Sequence, residues 1–149
     1  MTGIGVGDTF AKSAVIDEQS IRTFATLAGD MNPLHHDAAA AAAGPYGGLI
    51  ACGPQLMSLL LGVDATHFSA LGGMAVGLGF DFKFVKAVPV DTRVVLAWTV
   101  TGCDFKPSLD GWIVSVEGSV RDAAGTLYVS ARGSNLVREP GHAAPRSVA

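Results

Sequence analysis

One short segment in the middle of the chain restricts the possible folds more than any other. It runs from Pro54 to Leu61, reads PQLMSLLL, and is followed by Gly62. Proline is favoured in the first helical position and glycine just past the last, so the segment predicts a helix that ends at Gly62. Apolar residues occupy nearly every side of this helix, which indicates that protein covers it all round. The apolar run is too short to cross a membrane.

The second half of the chain has the pattern of β-strands. Three phenylalanines, Phe80, Phe82 and Phe84, alternate with Asp81 and Lys83. Further strand-like segments run from Val94 to Val100, from Trp112 to Glu117 and from Thr126 to Val137. Alternation with a period of two, interrupted by turn residues, predicts an antiparallel sheet with one buried face. The sequence therefore predicts an α+β domain whose curved antiparallel sheet wraps around a central apolar helix.

Length and composition indicate a single globular domain. Of the 149 residues, 49% are hydrophobic and only 15% are charged. We place the domain at residues 1–137 and predict a flexible tail at 138–149, which is rich in proline, glycine and alanine. This low proportion of charged residues indicates that a partner subunit covers part of the apolar surface. The net charge of -3, without a run of basic residues, argues against nucleic-acid binding.

The termini and the cysteines give a simple expectation for the cellular setting. The first residues, Met1 to Gly5, lack the basic region and apolar stretch of a signal peptide. Cys52 and Cys103 are the two cysteines, and their number gives no disulfide framework. We therefore expect a reduced, cytoplasmic protein that does not associate with membranes.

The residues best suited to chemistry follow a predicted helix that runs from Asp17 to Ala28. Asp30 and His35 are close in sequence, but a straight chain would hold them about 17 Å apart. Gly29 and the pair Asn32-Pro33 predict a bend, because Pro33 restrains Asn32 to extended geometry and fixes its own φ. A bent loop can aim a carboxylate and an imidazole at one water molecule, as a hydration reaction requires. The alternative is that the same residues form an ordinary turn and helix cap.

The start of the apolar helix is a second candidate site. The first N–H groups of a helix lack internal partners and carry the positive end of its dipole. The N–H of Gly53 could therefore stabilise an enolate, although Pro54 offers no second donor. Ser58 and Gln55 are polar groups on this helix and need partners such as the Asp30 carboxylate, the substrate or a backbone carbonyl. The alternative is an ordinary capped helix start.

Neither a metal nor a nucleophilic cysteine is predicted. His35, His36 and His67 lack the spacing of metal ligands. Cys52 could act as a nucleophile with His35, but nothing in the sequence orients such a pair.

These residues resemble those of a known family. The string Gly29-Asp30-x-Asn32-Pro33-Leu34-His35-x-Asp37, followed by an alanine-rich turn, looks like the signature of the MaoC-like dehydratases, which include the (R)-specific enoyl-CoA hydratases. The resemblance extends from about Val6 to Val137. It implies a hot-dog fold and a homodimer, or a dimer of dimers. It also implies a thioester of coenzyme A or acyl carrier protein as substrate, with no separate cofactor.

The resemblance also assigns roles to individual residues. Asp30 and His35 correspond to the pair that activates the water, and Asn32 to a supporting residue. Gly53 corresponds to the donor to the thioester oxygen, and Ser58 to a residue that supports the acid. Water would add to a trans-2-enoyl thioester to give the (R)-3-hydroxyacyl product.

The chain departs from the family pattern at the helix start, where Cys52-Gly53 replaces the usual His-Gly and Pro54 replaces a bulky apolar residue. Two other functions remain as alternatives. A hot-dog protein that only binds acyl thioesters would have no need of Asp30, His35 and Ser58 together. A thioesterase would need a carboxylate on the central helix, and the segment from Pro54 to Leu61 has none.

Overall fold

The computed structural model describes residues 3–138, which form four helices and five strands. The helices are α1 (Glu18–Ala28), α2 (Pro33–His36), α3 (Ala38–Ala43) and α4 (Gly53–Ala70). The strands are β1 (Thr9–Ile16), β2 (Met74–Phe84), β3 (Thr92–Lys106), β4 (Gly111–Asp122) and β5 (Leu127–Arg138). A 3-10 turn, Pro107–Leu109, joins β3 to β4.

All five strands pair antiparallel in one sheet of order β1-β3-β4-β5-β2. The sheet bears irregularities of register between Gly77 and Gly79 in β2 and between Val100 and Gly102 in β3. Such bulges bend a strand and increase its twist. The sheet packs against α4, and the predicted α+β architecture is confirmed.

The helix–sheet interface is anchored by a buried indole. Trp98 of β3 is fully buried, and its Nε1–H donates to the carbonyl of Leu60 in α4 at 2.8 Å. Around it the core consists mainly of valines of β3, β4 and β5 together with Leu56, Leu60 and Phe68 of α4. Because a buried N–H without an acceptor is costly, this bond favours one position of the helix on the sheet.

One expectation about the central helix is wrong, and a second is not met within this one chain. Gly62 does not end it, because α4 continues to Ala70 and buries Val63 and Phe68 beyond that point. This burial outweighs the roughly 1 kcal/mol that a glycine costs within a helix. Within residues 3–138, α4 is not covered all round, since Ser58 and Leu59 lie on an exposed face. A single five-stranded sheet covers one side of the helix only.

An acidic residue is buried between α4 and β5. Asp64 is 4% exposed, and its Oδ1 accepts a hydrogen bond from Nδ2 of Asn135 at 3.1 Å. Burial raises the pKa of Asp64 to about 6, and the hydrogen bond from Asn135 opposes the shift only in part. Burial disfavours the charged form of a carboxyl, so this acid makes the helix–sheet contact sensitive to pH.

The last strand, β5, includes Arg138, whose side chain donates to the carbonyl of Leu109. The rest of the predicted tail, residues 139–149, lies outside the described residues. Within residues 3–138 no helix is long and apolar enough to span a membrane.

Candidate active site

The loop after α1 bends where the sequence places its turn residues. Gly29 has φ of 72°, a left-handed conformation that favours glycine, and it ends α1. The next N–H, that of Asp30, donates back to the carbonyl of Ala25 at 2.9 Å. Asn32 then caps α2, since its Oδ1 accepts from the N–H of Leu34 at 3.1 Å. The reversal returns the chain toward the end of α1.

This bend brings Asp30 and His35 together. Oδ2 of Asp30 lies 3.4 Å from Nε2 of His35, beyond the usual range of an N–H···O hydrogen bond. The other carboxylate oxygen, Oδ1, accepts from the N–H of Asn32 at 3.1 Å. Oδ2 is therefore the oxygen that faces the imidazole. The Asp30 side chain is 37% exposed, whereas His35 is buried.

The imidazole of His35 is oriented by a backbone carbonyl. Its Nδ1 lies 2.9 Å from the carbonyl oxygen of Ile50. A carbonyl can only accept, so Nδ1 carries the proton and Nε2 of the neutral ring presents a lone pair. Ile50 is itself fixed by its N–H bond to the carbonyl of Leu34 and by a β-bridge to Pro89. Two proton acceptors, Oδ2 and Nε2, thus face the same small space.

The N-terminus of α4 opens into the cavity that His35 lines. The cavity has a volume of about 400 Å³, and its lining includes Asn32, His35, Gly53 and Phe84, but not Asp30. No hydrogen-bond acceptor engages the Gly53 N–H among residues 3–138. A methyl group on Gly53 would lie 2.9 Å from Cζ of Phe84, so glycine permits the ring to lie against the helix start.

Cys52, which the sequence analysis named as a conceivable partner of His35 but could not orient, is a third neighbour at this site. It is 1% exposed, and its Sγ lies within 4.8 Å of ligand atoms of both Asp30 and His35. Burial raises the pKa of its thiol, and the negative charge of Asp30 raises it further. Its position immediately before Gly53 placed it at the start of the central helix, but nothing in the sequence oriented its side chain toward His35.

The structure does not bring Ser58 to Asp30. Its hydroxyl makes no hydrogen bond to Asp30 within the described part of the chain, and it lines other cavities with Leu59. The helical spacing is the reason, because Ser58 lies on the open face of α4 and Leu56 and Leu60 lie on the covered face. This corrects the expected support of the acid. Gln55 does find a partner in Ser20, although its Oε1 is buried without one.

The other histidines named in the sequence do not join the site. Nε2 of His36 bonds to the backbone carbonyl of Asp30 at 2.7 Å and so helps to hold the loop. His67 stacks on Phe10 with ring centroids 3.8 Å apart, and burial lowers the pKa of its imidazole. His36 and His67 therefore do not join His35 in a common cluster within the described residues.

Comparison with known proteins identifies relatives of the whole domain. Residues 4–117 match the family described as MaoC like domain. The 3-hydroxyacyl-thioester dehydratase Z of Mycobacterium tuberculosis is 30% identical over 115 residues, 72% of this chain and 76% of that protein. An (R)-hydratase from A. caviae involved in PHA biosynthesis has a TM-score of 0.79 and 26% identity, covering 94% and 100% of the two chains. R-hydratase PhaJ1 from Pseudomonas aeruginosa has a TM-score of 0.77 and 25% identity, covering 98% and 94%.

The class of protein is defined by three observations: the sheet packs against α4, an acid and an imidazole lie at the N-terminal end of that helix, and the relatives are named hydratases and dehydratases. The class is that of the hydratases and dehydratases of the hot-dog fold. Within that class, the chain belongs to the MaoC-like domain family. The resemblance read from the sequence is thereby confirmed.

Proposed function

We propose that this protein adds water reversibly to a trans-2-enoyl thioester and yields the (R)-3-hydroxyacyl thioester. The names of its relatives support a thioester substrate and the (R) product. One observation carries the proposal: two proton acceptors 3.4 Å apart stand at the end of α4, and His35 and Gly53 line the same cavity.

Asp30 and His35 hold the reacting water in this proposal. Nδ1 of His35 donates to the carbonyl of Ile50. Nε2 of the same ring and Oδ2 of Asp30 are therefore free to accept hydrogen bonds. A water between them donates one hydrogen to each and directs its lone pairs toward the substrate. The water oxygen bonds to the β carbon, the pair takes one proton from the water, and it returns a proton to the α carbon. Asn32 supports Asp30 by occupying its other oxygen.

The helix terminus stabilises the charge that develops during addition. When water attacks the β carbon, negative charge moves to the thioester oxygen and forms an enolate. The unengaged N–H of Gly53, at the positive end of the α4 dipole, is the donor we assign to that oxygen. Pro54 lacks an N–H, so Gly53 carries this role alone at the start of the helix. The thioester itself acidifies the α carbon, and we propose that the reaction needs no cofactor.

We further propose that the protein works as a homodimer or a dimer of dimers. The open face of α4 and the apolar side chains along the edge strand β2 support a second copy as the partner. On β2 these are Met74, Val76 and Leu78. Large apolar groups exposed together are typical of subunit contacts. The cytoplasmic setting stays a prediction, and both cysteines are free thiols in the structure.

The test is to incubate the purified protein with crotonyl-CoA and follow the conjugated-enoyl absorbance and the release of thiol in parallel. We expect the absorbance to fall without thiol release, and chiral analysis to give the (R)-3-hydroxy product. Release of thiol would instead identify a thioesterase. Absence of reaction with acyl chains of any length, on either carrier, would leave a protein that only binds thioesters.

A further inference from the structure

Three side chains of different chemistry meet at the candidate active site. Asp30, His35 and Cys52 each direct one ligand atom into a common space, and these atoms all lie within 4.8 Å of one another. His35 and Cys52 are buried, so water competes little for their donor atoms. A carboxylate, an imidazole and a thiolate are the three ligand types that proteins use for Zn²⁺.

The spacing of the nitrogen and oxygen ligand atoms fits a tetrahedral ion. Zinc bonds to nitrogen and oxygen are about 2.0–2.2 Å long, so two such ligands in a tetrahedron are about 3.3–3.5 Å apart. Nε2 of His35 and Oδ2 of Asp30 are 3.4 Å apart. The distance is too long for a good hydrogen bond between them and suits a shared ion.

The hydrogen-bond partners of the proposed ligands are also typical of a metal site. A ligating histidine usually donates its other ring N–H to a carbonyl or a carboxylate, and His35 has the carbonyl of Ile50 at 2.9 Å. Ligating carboxylates are held by hydrogen bonds of their own, and Oδ1 of Asp30 accepts from Asn32. Both bonds leave Nε2 of His35 and Oδ2 of Asp30, the two atoms that face each other, available to an ion.

We propose that Asp30, His35 and Cys52 form a Zn²⁺ site with three protein ligands and an open fourth position. Binding releases the Cys52 thiol proton to solvent, and the thiolate, the Asp30 carboxylate and the neutral imidazole each supply one donor atom. Cys52, which stands where the family usually has histidine, provides the sulfur ligand. If the proposed hydration is correct, the ion occupies both acceptors that hold the water and so inhibits turnover.

The site can be tested without substrate by adding Co²⁺ to the chelator-treated protein and recording its absorption spectrum. We expect one equivalent to give the visible bands of a tetrahedral ion and the near-ultraviolet charge-transfer band of a cobalt–thiolate bond. Zn²⁺ should abolish both, because it takes the same site. Binding of Zn²⁺ alone is then measured by calorimetry, with proton release followed in buffers of different ionisation enthalpy.

Matched variants assign the ligands. Cys52→Ser should remove the charge-transfer band, whereas Cys103→Ser, which changes the other free thiol, should keep it. Asp30→Asn, at a half-exposed position that tolerates an isosteric change, should weaken Zn²⁺ binding at least tenfold. Circular dichroism confirms that each variant is folded.

No spectral change with Co²⁺, or a charge-transfer band that persists in Cys52→Ser, would overturn the proposal. Because metal binding is read without substrate, its failure is distinct from failure of the hydration assay. A separate assay of the wild-type enzyme with Zn²⁺ tests the inhibition.

Discussion

The two ring nitrogens of His35 have different partners, and the proposed chemistry depends on that difference. Nδ1 is tied to the Ile50 carbonyl, and Nε2 faces Oδ2 of Asp30. Asp30→Asn replaces an acceptor by a neutral amide, and His35→Ala removes the other acceptor. We expect each to lower kcat for crotonyl-CoA hydration by about 10²-fold or more, the usual contribution of a general acid–base group.

Thermal unfolding of the same two variants should show that the loss is catalytic. Asp104→Asn, an exposed aspartate of β3, serves as the control and should keep the wild-type rate. A rate close to wild type in either site variant would remove that residue from the mechanism.

Gly53 offers a steric test at the other side of the cavity. In Gly53→Ala the new methyl would be 2.9 Å from Cζ of Phe84, so the exposed ring must move within the cavity that both residues line. The N–H remains, and alanine is favoured over glycine in a helix by about 1 kcal/mol. We therefore expect kcat/KM to fall about tenfold, an effect of the size that small displacements of bound groups produce, while stability changes little.

Phe84→Leu provides the matched partner for this experiment. The double variant Gly53→Ala with Phe84→Leu should recover part of the lost kcat/KM, because the smaller side chain leaves room for the methyl. If Gly53→Ala alone has wild-type kinetics, the ring and the helix start do not bound the substrate site.

The residues of the site were predictable to different degrees. Asp30 and His35 followed from local signals, since Gly29 and Asn32-Pro33 specify a bend over a short stretch of chain. Cys52 was not predictable, because its approach to them depends on how the segment before α4 pairs with Pro89 and Val88. The sequence between these residues does not indicate that pairing.

At the scale of elements, α4 shows what hydropathy can predict and what it cannot. The apolar run correctly indicated a central helix, and the alternating segments correctly indicated the antiparallel sheet around it. The pattern could not tell which side of a helix with apolar residues on every face the sheet would cover. The hydrogen bond expected between Ser58 and Asp30 is therefore absent from the described residues, and the open face around Leu59 was not predicted.

The buried acid of α4 gives a prediction on pH. The unfolded-state pKa of an aspartate is near 3.8, and in the fold the pKa of Asp64 is about 6. The folded state therefore binds the proton of Asp64 more tightly than the unfolded state does. The contribution of Asp64 to the free energy of unfolding is largest below pH 4 and falls as the pH rises to about 6. A shift of this size corresponds to at most about 3 kcal/mol of destabilisation at neutral pH.

Asp64→Asn removes that cost and keeps an oxygen for Asn135. We expect Tm at pH 8 to rise by about 3–8 °C for a chain of this length, and the gain to vanish near pH 4. The control is Asp81→Asn, because Asp81 is exposed and pairs with the exposed Arg132. An equal gain at both pH values would show that relief of a buried charge is not the cause.

At the scale of the whole molecule, the two edges of the sheet and the open side of α4 determine how copies could associate. On β2, an edge strand, the side chain of Val76 is exposed together with those of Met74 and Leu78. Val76→Lys places a charge on this edge, and charged edges oppose strand association. If the wild type forms the proposed dimer, we expect the variant to sediment as a monomer at the same concentration.

Val95→Lys is the control for the edge, because Val95 is exposed to a similar degree but lies on the inner strand β3. It should leave the molecular mass unchanged. If Val76→Lys remains a dimer, the second copy binds elsewhere, and the open face of α4 becomes the surface to change.

The bond from the Trp98 indole to the Leu60 carbonyl also provides an optical reporter. Indole fluorescence shifts to longer wavelength when the ring is exposed to water. Trp98 is fully buried against the central helix, whereas Trp112 is only half buried. Lifting α4 from the sheet would break this bond and wet the ring, so the emission maximum would register helix detachment. The fluorescence of the unlabelled protein therefore reports whether α4 is packed on the sheet.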